Sequence, residues 1–224
     1  MVKLGPFTFI AGSGNVVREA RAVRDFERIN LGGSGAVVIT QTGEESLTVE
    51  ADDNVLPLLT TEVHGPTLEL GTQHGTNITT HSPIRYDITV KTLRGLVISG
   101  SGKVEVSPLT SDTLAITISG SGKIDAAGLA AEALEVTISG SGDVSLAGHS
   151  ARQDLSISGS GSYHAADLAS GAARVRVSGA GSAALNVHET LDVRISGSGS
   201  VNYSGQPTVT KSISGSGSIR RRDA

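Results

Sequence analysis

Leu96-Val97-Ile98-Ser99-Gly100-Ser101-Gly102-Lys103-Val104-Glu105-Val106 holds the pattern that decides the fold. An alternating apolar run enters a Ser-Gly-Ser-Gly turn, and a second alternating run leaves it. The tetrapeptide recurs at Ser119, Ser139, Ser158, Ser196 and Ser214, with Ser-Gly-Ala-Gly at Ser178. Successive steps are 20, 20, 19, 20, 18 and 18 residues. Spacing this regular marks a repeat architecture.

Aligning the copies produces columns. Just before the turn stand Ile98, Ile118, Ile138, Ile157, Val177, Ile195 and Ile213. Two residues earlier stand Leu96, Ile116, Val136, Leu155, Val175 and Val193, then Lys211. Between them lie Val97, Thr117, Thr137, Ser156, Arg176, Arg194 and Ser212. This is the period of two expected of a strand with one buried face, written in β-branched residues. After the turn, Val104, Ile124, Val144, Tyr163, Val201 and Ile219 point inward, with Ala183 as the small member. Leu109, Leu129, Leu168 and Val187 supply a third inward position.

One rung of about 20 residues cannot bury so narrow a stripe. Rungs stacked about 4.8 Å apart bury every stripe as one column and satisfy each strand through its neighbours. The spacers are too short for a helix, which excludes a leucine-rich repeat. The expected fold is therefore all-β, a right-handed parallel β-helix. Its structural turns are formed by Gly100 and Gly102, Gly120 and Gly122, Gly140 and Gly142, Gly159 and Gly161, Gly179 and Gly181, Gly197 and Gly199, and Gly215 and Gly217. A corner repeated in register leaves little room for Cβ atoms.

Composition fits a thin core. Hydrophobic residues make up 38% and aromatics 3% of the 224 residues, with 29 Gly and no Trp. Eighteen Lys and Arg face 22 Asp and Glu, and the resulting net charge of −4 gives no reason to expect a nucleic-acid partner. The absence of Cys excludes disulfides and thiolate chemistry. No apolar run approaches the roughly 20 residues of a membrane span. Met1 to Ile10 lacks the form of a signal peptide, so an exported chain would have lost its signal.

Before Leu96 the pattern loosens. Cruder turns occur at Ala11-Gly12-Ser13-Gly14 and Gly32-Gly33-Ser34-Gly35, the latter between two strand-like runs. Leu47–Ala51, Thr67–Gly71 and Arg85–Val90 also read as strands, and Asp52-Asp53-Asn54 with Val55–Glu62 as a short helix or turn limited by Pro57. The organisation expected is an irregular β-rich section over 1–95, continuous with regular rungs over 96–219, and a basic tail over 220–224.

Arg21-Ala22-Val23-Arg24-Asp25-Phe26-Glu27-Arg28-Ile29 precedes Leu47-Thr48-Val49-Glu50-Ala51-Asp52-Asp53-Asn54-Val55-Leu56-Pro57, and the Ser-Gly-Ser-Gly ladder follows both. That order resembles the bacterial family described as "putative auto-transporter adhesin, head GIN domain", over roughly 20 to 219. The resemblance implies an extracytoplasmic β-helical protein of undefined function. It brings no catalytic motif.

Chemical motifs are sparse. Gly100-Ser101-Gly102-Lys103 lacks the spacing and following helix of a phosphate loop. A calcium-binding nonapeptide ladder needs Asp at the same place in successive turns, which only Asp143 supplies. His64, His74, His81, His149, His164 and His188 form no ligand motif. Ser162, His164 and Asp167 lack a nucleophile elbow. One candidate surface patch remains on neighbouring rungs: Glu105, Asp125, Asp143 and His164. Stacking would group the carboxylates for a cation or glycan, while salt bridges to Lys103 and Lys123 explain the same residues without a ligand. No catalytic residue, metal site or cofactor is expected.

The leading expectation is a non-enzymatic bacterial cell-surface or secreted structural, adhesin-like module whose partner is a surface protein or glycan. A polysaccharide-binding or polysaccharide-active β-helix is the alternative, weakened by scattered carboxylates and few aromatics. Self-assembly into a homo-oligomer or filament through rung edges is the third reading, opposed at one end by Lys211 and Arg220-Arg221-Arg222.

Overall fold

The computed structural model describes residues 2–4, 7–80 and 82–222. These form a β-solenoid of about six turns, almost entirely strand. Its rungs pair in parallel and in register. Gly95–Gly100 lies on 115–120, 133–140 lies on 152–159, and each corner Ser and first Gly faces its counterpart one rung away. Ile98, Ile118, Ile138, Ile157, Val177 and Ile195 stack as one buried column.

The corners show why glycine is required twice. Ser121 and Lys123 N–H groups donate to Gly100 and Gly102 carbonyls at 2.9 Å, so the corner itself continues the ladder. Gly120 has φ +134, and a Cβ there would sit 2.6 Å from the Gly100 oxygen. A Cβ on Gly122 would sit 2.7 Å from Cγ2 of Ile98. The first glycine therefore lets backbone pass backbone, and the second makes room for the preceding core isoleucine.

The pairing of 109–120 with 129–140 keeps register throughout, but in the next three the register shifts on the third side, between Ala126 and Leu129, between Ser145 and Gly148, and between Ala165 and Ala169 and again between Ser170 and Ala172. Rungs of unequal length are accommodated there. The inward column runs Leu109, Leu129, Gly148, Leu168, while Val187 pairs with Ser170 rather than Leu168. The expected fourth member is thus displaced by the shorter rung. Where a leucine column is interrupted, the interior turns polar. Tyr163 donates from its hydroxyl to Oε1 of Gln153 at 2.8 Å, Gln153 donates to Ser170 Oγ at 2.7 Å, and Ser170 donates to the Asn186 carbonyl at 2.9 Å. Burial pushes the Tyr163 phenol up, so it remains a donor at neutral pH. The large Tyr163 ring is followed in its column by small Ala183.

The amino-terminal section does not simply precede the regular rungs. Arg28–Gly33 and Ala36–Gln41, joined by the Gly33-Ser34-Gly35 corner, form a rung whose one side carries Gly95–Gly100 and Lys103–Val106. Its other side carries 67–70 and Arg85–Val90, also in parallel. A rung early in sequence thus lies between two later ones. Antiparallel strands then close this end: Leu59–His64 on Thr67–Thr72, and Ser46–Asp52 on Arg85–Val90 with Val16–Arg21 outside it. Covering an end in this way replaces an open parallel rung with two short antiparallel outer strands, Val16–Arg21 and Leu59–His64, each paired on one side among the described residues. Strands Val2–Leu4, Phe7–Ala11 and Thr76–Thr79 form a separate small sheet.

Three expectations change. Ala11-Gly12-Ser13-Gly14 is a loop leaving the small sheet and not a stacked corner. Leu56–Leu58 is a single 3-10 turn with Pro57 near its start, and Leu59, already extended (ψ 131), begins a strand. Arg220 and Arg221 belong to the last strand, paired with Asn202 and Tyr203, so the basic segment begins within the final rung.

Entry into the first rung is fixed by Glu45, which no motif in the sequence singles out. Burial pushes its carboxyl up, but N–H groups of Asp25 and Phe26 and the Lys91 ammonium outweigh that and hold it below the ordinary value. Asp25 is the one non-glycine residue with positive φ among those described, at 61°. Glu45 thereby anchors the turn that delivers buried Phe26.

At the far end the Ile column surfaces: Ile213 is 41% exposed. Lys211, Arg220, Arg221 and Arg222 surround that last rung with positive charge, a deterrent to stacking against another such end.

Gly140 and Gly43 separate corner packing from dihedral strain. Both have positive φ, but a Cβ on Gly140 meets the Gly120 oxygen at 2.5 Å and one on Gly43 meets nothing within 4 Å. Gly140→Ala is expected to cost about 3–4 kcal/mol and Gly43→Ala about 1 kcal/mol. Urea denaturation compares them, and equal losses would remove the corner-packing argument.

Candidate functional site

Two grooves follow directly from the stacked geometry. The larger, about 750 Å³, runs along the solenoid where each rung bends into its final strand, from Thr113 to Thr208 and Thr210. Small side chains at the bend (Ala133, Ala172, Thr190) leave the space open, while Leu114, Leu134 and Leu191 lie buried beneath. Register places Ala115, Glu135, Asp154, Arg174, Asp192 and Thr210 in one outward column. Asp154 bridges Arg174 at 3.4 Å and Arg176 at 3.1 Å. Asp192 bridges Arg194 at 3.5 Å and Arg174 at 3.9 Å. Arg152 stands in the same groove, exposed and outside this network among the described residues.

These pairs are half-exposed, so each contributes only about 0–1 kcal/mol. Their effect is to order long side chains on the groove floor without burying charge. The column carries a signal in the sequence when read for sign, because Glu135, Asp154, Arg174 and Asp192 all stand four residues before a corner serine.

The smaller groove, about 620 Å³, contains much of the patch picked out from sequence. Glu105, Asp125, Ser145 and His164 are successive members of one column and all line it. Asp143 belongs elsewhere: it stacks on Lys123 and beside Ser162, in the adjoining column. It immediately follows the corner, where the other rungs carry Lys or Ser, whereas the carboxylates of Glu105 and Asp125 lie two residues further on.

Of the acids lining this groove, Glu105 and Asp125 are met by lysines, and Asp167 is in no ion pair among the described residues. Lys103 bridges Glu105 at 2.6 Å and Asp125 at 4.0 Å, and Lys123 bridges Asp125 at 3.4 Å. The Lys103 hydrogen bond and charge hold the Glu105 carboxyl below its usual value, and Glu105 in turn raises Lys103. A carboxylate stabilised in its ionised form by an adjacent ammonium is a poor general acid. Asp167 and His164 line the same groove, with no hydrogen bond joining them to each other or to Ser162 among the described residues. Neither is there a group of three or more His, Cys, Asp or Glu placed to hold a metal among those residues. His81 lies outside the described residues, and His64 pairs locally with Glu62 at 3.0 Å. No described helix is long and apolar enough to cross a membrane.

A sequence profile described as "Putative auto-transporter adhesin, head GIN domain" matches residues 25–207. The chain belongs to this family. As a head GIN domain it is similar to a crystal structure of a "putative adhesin" from Bacteroides fragilis, at 30% identity and TM-score 0.88, covering 96% of this chain and 100% of that one. A "putative lipid binding protein" from Parabacteroides distasonis is similar at 25% identity and TM-score 0.82, with the same coverage. A "putative adhesin" from the same species, at 22% identity and TM-score 0.75 over 96% of this chain and 100% of that one, shares the fold. No curated protein matches the chain.

The lysine pairing makes a titration testable. In wild type the Glu105 carboxyl should titrate below the ordinary glutamate value, and Lys103→Met should return it toward that value. High salt should do the same, because the pair is exposed. Carboxyl NMR from acid to neutral pH reads the midpoint; no movement in Lys103→Met would show that the pair is not formed in solution.

Proposed function

We propose that this head GIN domain is a non-catalytic adhesive module working outside the cytoplasm, with the larger groove as its contact surface for a surface protein or an extended glycan. The observation carrying this reading is the groove's continuity. It crosses successive rungs along a line of small side chains broken by Arg152, and Asp154, Arg174 and Asp192 bridge one another and their neighbours beside that line. A rigid repeat with such a row suits an extended partner, which can meet the same geometry again at each rung spacing. The adhesin descriptions of the family and its solved relatives support the same reading.

The smaller groove is less suited. Glu105 and Asp125 are occupied by lysines from the same and neighbouring rungs, so a ligand at those carboxylates would have to displace existing ion pairs.

Beads coated with the domain should adhere to one or more members of a printed glycan array or a panel of immobilised extracellular-matrix proteins. Ala172→Trp, which fills the larger groove, and Arg152→Glu, which reverses a charge outside the bridged row, should each reduce adherence at least tenfold. Glu105→Gln and His164→Ala in the smaller groove should leave it unchanged. Adherence that survives both larger-groove variants would overturn the assignment of the surface, and no adherence to any surface would overturn the function.

A further inference from the structure

Asp52 closes the capping strand Ser46–Asp52, and its carboxylate has no place in the ion pairs described so far. Leu47, Val49 and Ala51 alternate into the core, and Asp52, next in the chain, is also 0% exposed. Neither carboxylate oxygen makes a hydrogen bond. The loop that leaves the small sheet presses against it: a Cβ built on Gly12 would lie 1.7 Å from Oδ2 of Asp52. Only glycine admits the carboxylate at that point.

An ionised carboxylate without a partner is among the most costly groups to bury. A counter-cation would offset that cost, and the same loop contact is rich in oxygen. Ser13 Oγ donates to Oδ1 of Asp53 at 2.6 Å, and Asn15 Nδ2 donates to its Oδ2 at 2.9 Å. The Asn54 side-chain oxygen accepts from the Ser13 N–H at 2.9 Å. The polar groups of this contact thus include two adjacent carboxylates, amide oxygens and a hydroxyl.

We propose that Asp52, with Asp53 and oxygens of the Gly12–Asn15 loop and Asn54, forms a calcium site that fastens the amino-terminal segment to the capping strands. All-oxygen donors and irregular loop geometry suit calcium, which tolerates variable coordination, better than magnesium, which demands a near-ideal octahedron. With only two carboxylates the affinity belongs in the range of extracellular modules, a dissociation constant of about 10⁻⁴–10⁻³ M. The site is independent of either groove, so it stands or falls separately from the adhesive function.

The test is a titration of the metal-stripped full chain with calcium chloride, read by calorimetry and by thermal unfolding. One site is expected, with the midpoint rising about 3 °C at about 2 mM calcium. Hydrogen exchange in Val16–Arg21 and Ser46–Asp52 should slow on addition. Asp52→Asn should abolish the response, and Asp53→Asn should weaken binding at least tenfold. No calcium response in wild type, an equal response in Asp52→Asn, or an equal shift with magnesium chloride at the same concentration would each overturn the proposal. If Asp52→Asn does not fold, the wild-type titration and Asp53→Asn decide it.

Discussion

The passage of one glycine corner over the next is the constraint on which the molecule depends. Two backbone segments approach so closely there that their carbonyl and amide groups bond directly, rung to rung. That contact fixes where each rung starts relative to its neighbour. Once the start is fixed, alternation along the strand determines which side chains are inward, and each inward residue meets its equivalent. The isoleucine column, the complementary sizes of Tyr163 and Ala183, and the polar chain from Tyr163 to Ser170 all inherit their positions from it.

The outside inherits the same register. Residues at equivalent places in successive rungs stand about 4.8 Å apart, near enough for like charges to repel and unlike ones to pair. Arg174 lies between Asp154 and Asp192, and Asp125 meets lysines from two rungs. Grooves arise where the inherited positions hold small residues. Variation in rung length is confined to the third side, where the bulges absorb it and leave the corners and the final strands aligned.

Much of this is legible in the sequence because the repeat writes each column several times. The inward direction of Ile98 through Ile195 follows from alternation and spacing alone, since one period governs them all. The features that periodicity does not reveal depend on residues that occur once. Gln153 occupies an apolar column that elsewhere holds Leu114, Leu134, Ala173, Leu191 and Val209, and its partners Tyr163 and Ser170 come from the following rung. Nearness to the corners groups Asp143 with Glu105 and Asp125, but a shift of two residues along a strand places it in another column. Asp52 meets Gly12 across a long stretch of chain, with no periodicity to announce the contact. The amino-terminal order is equally hidden, because parallel and antiparallel neighbours leave the same alternation in a strand.

That order has a kinetic consequence. The rung formed by Arg28–Gly33 and Ala36–Gln41 acquires its neighbours only when Thr67–Val90 folds back onto one side and Gly95–Val106 reaches the other. Closing such loops carries an entropic penalty before any stacking energy returns. Each later rung, by contrast, adds onto a finished platform one repeat at a time. Assembly is therefore slow to begin and quick to extend, with the interleaved rung as its nucleus. A chain emerging from its amino terminus keeps one side of that segment unpaired until residues 95–106 are available.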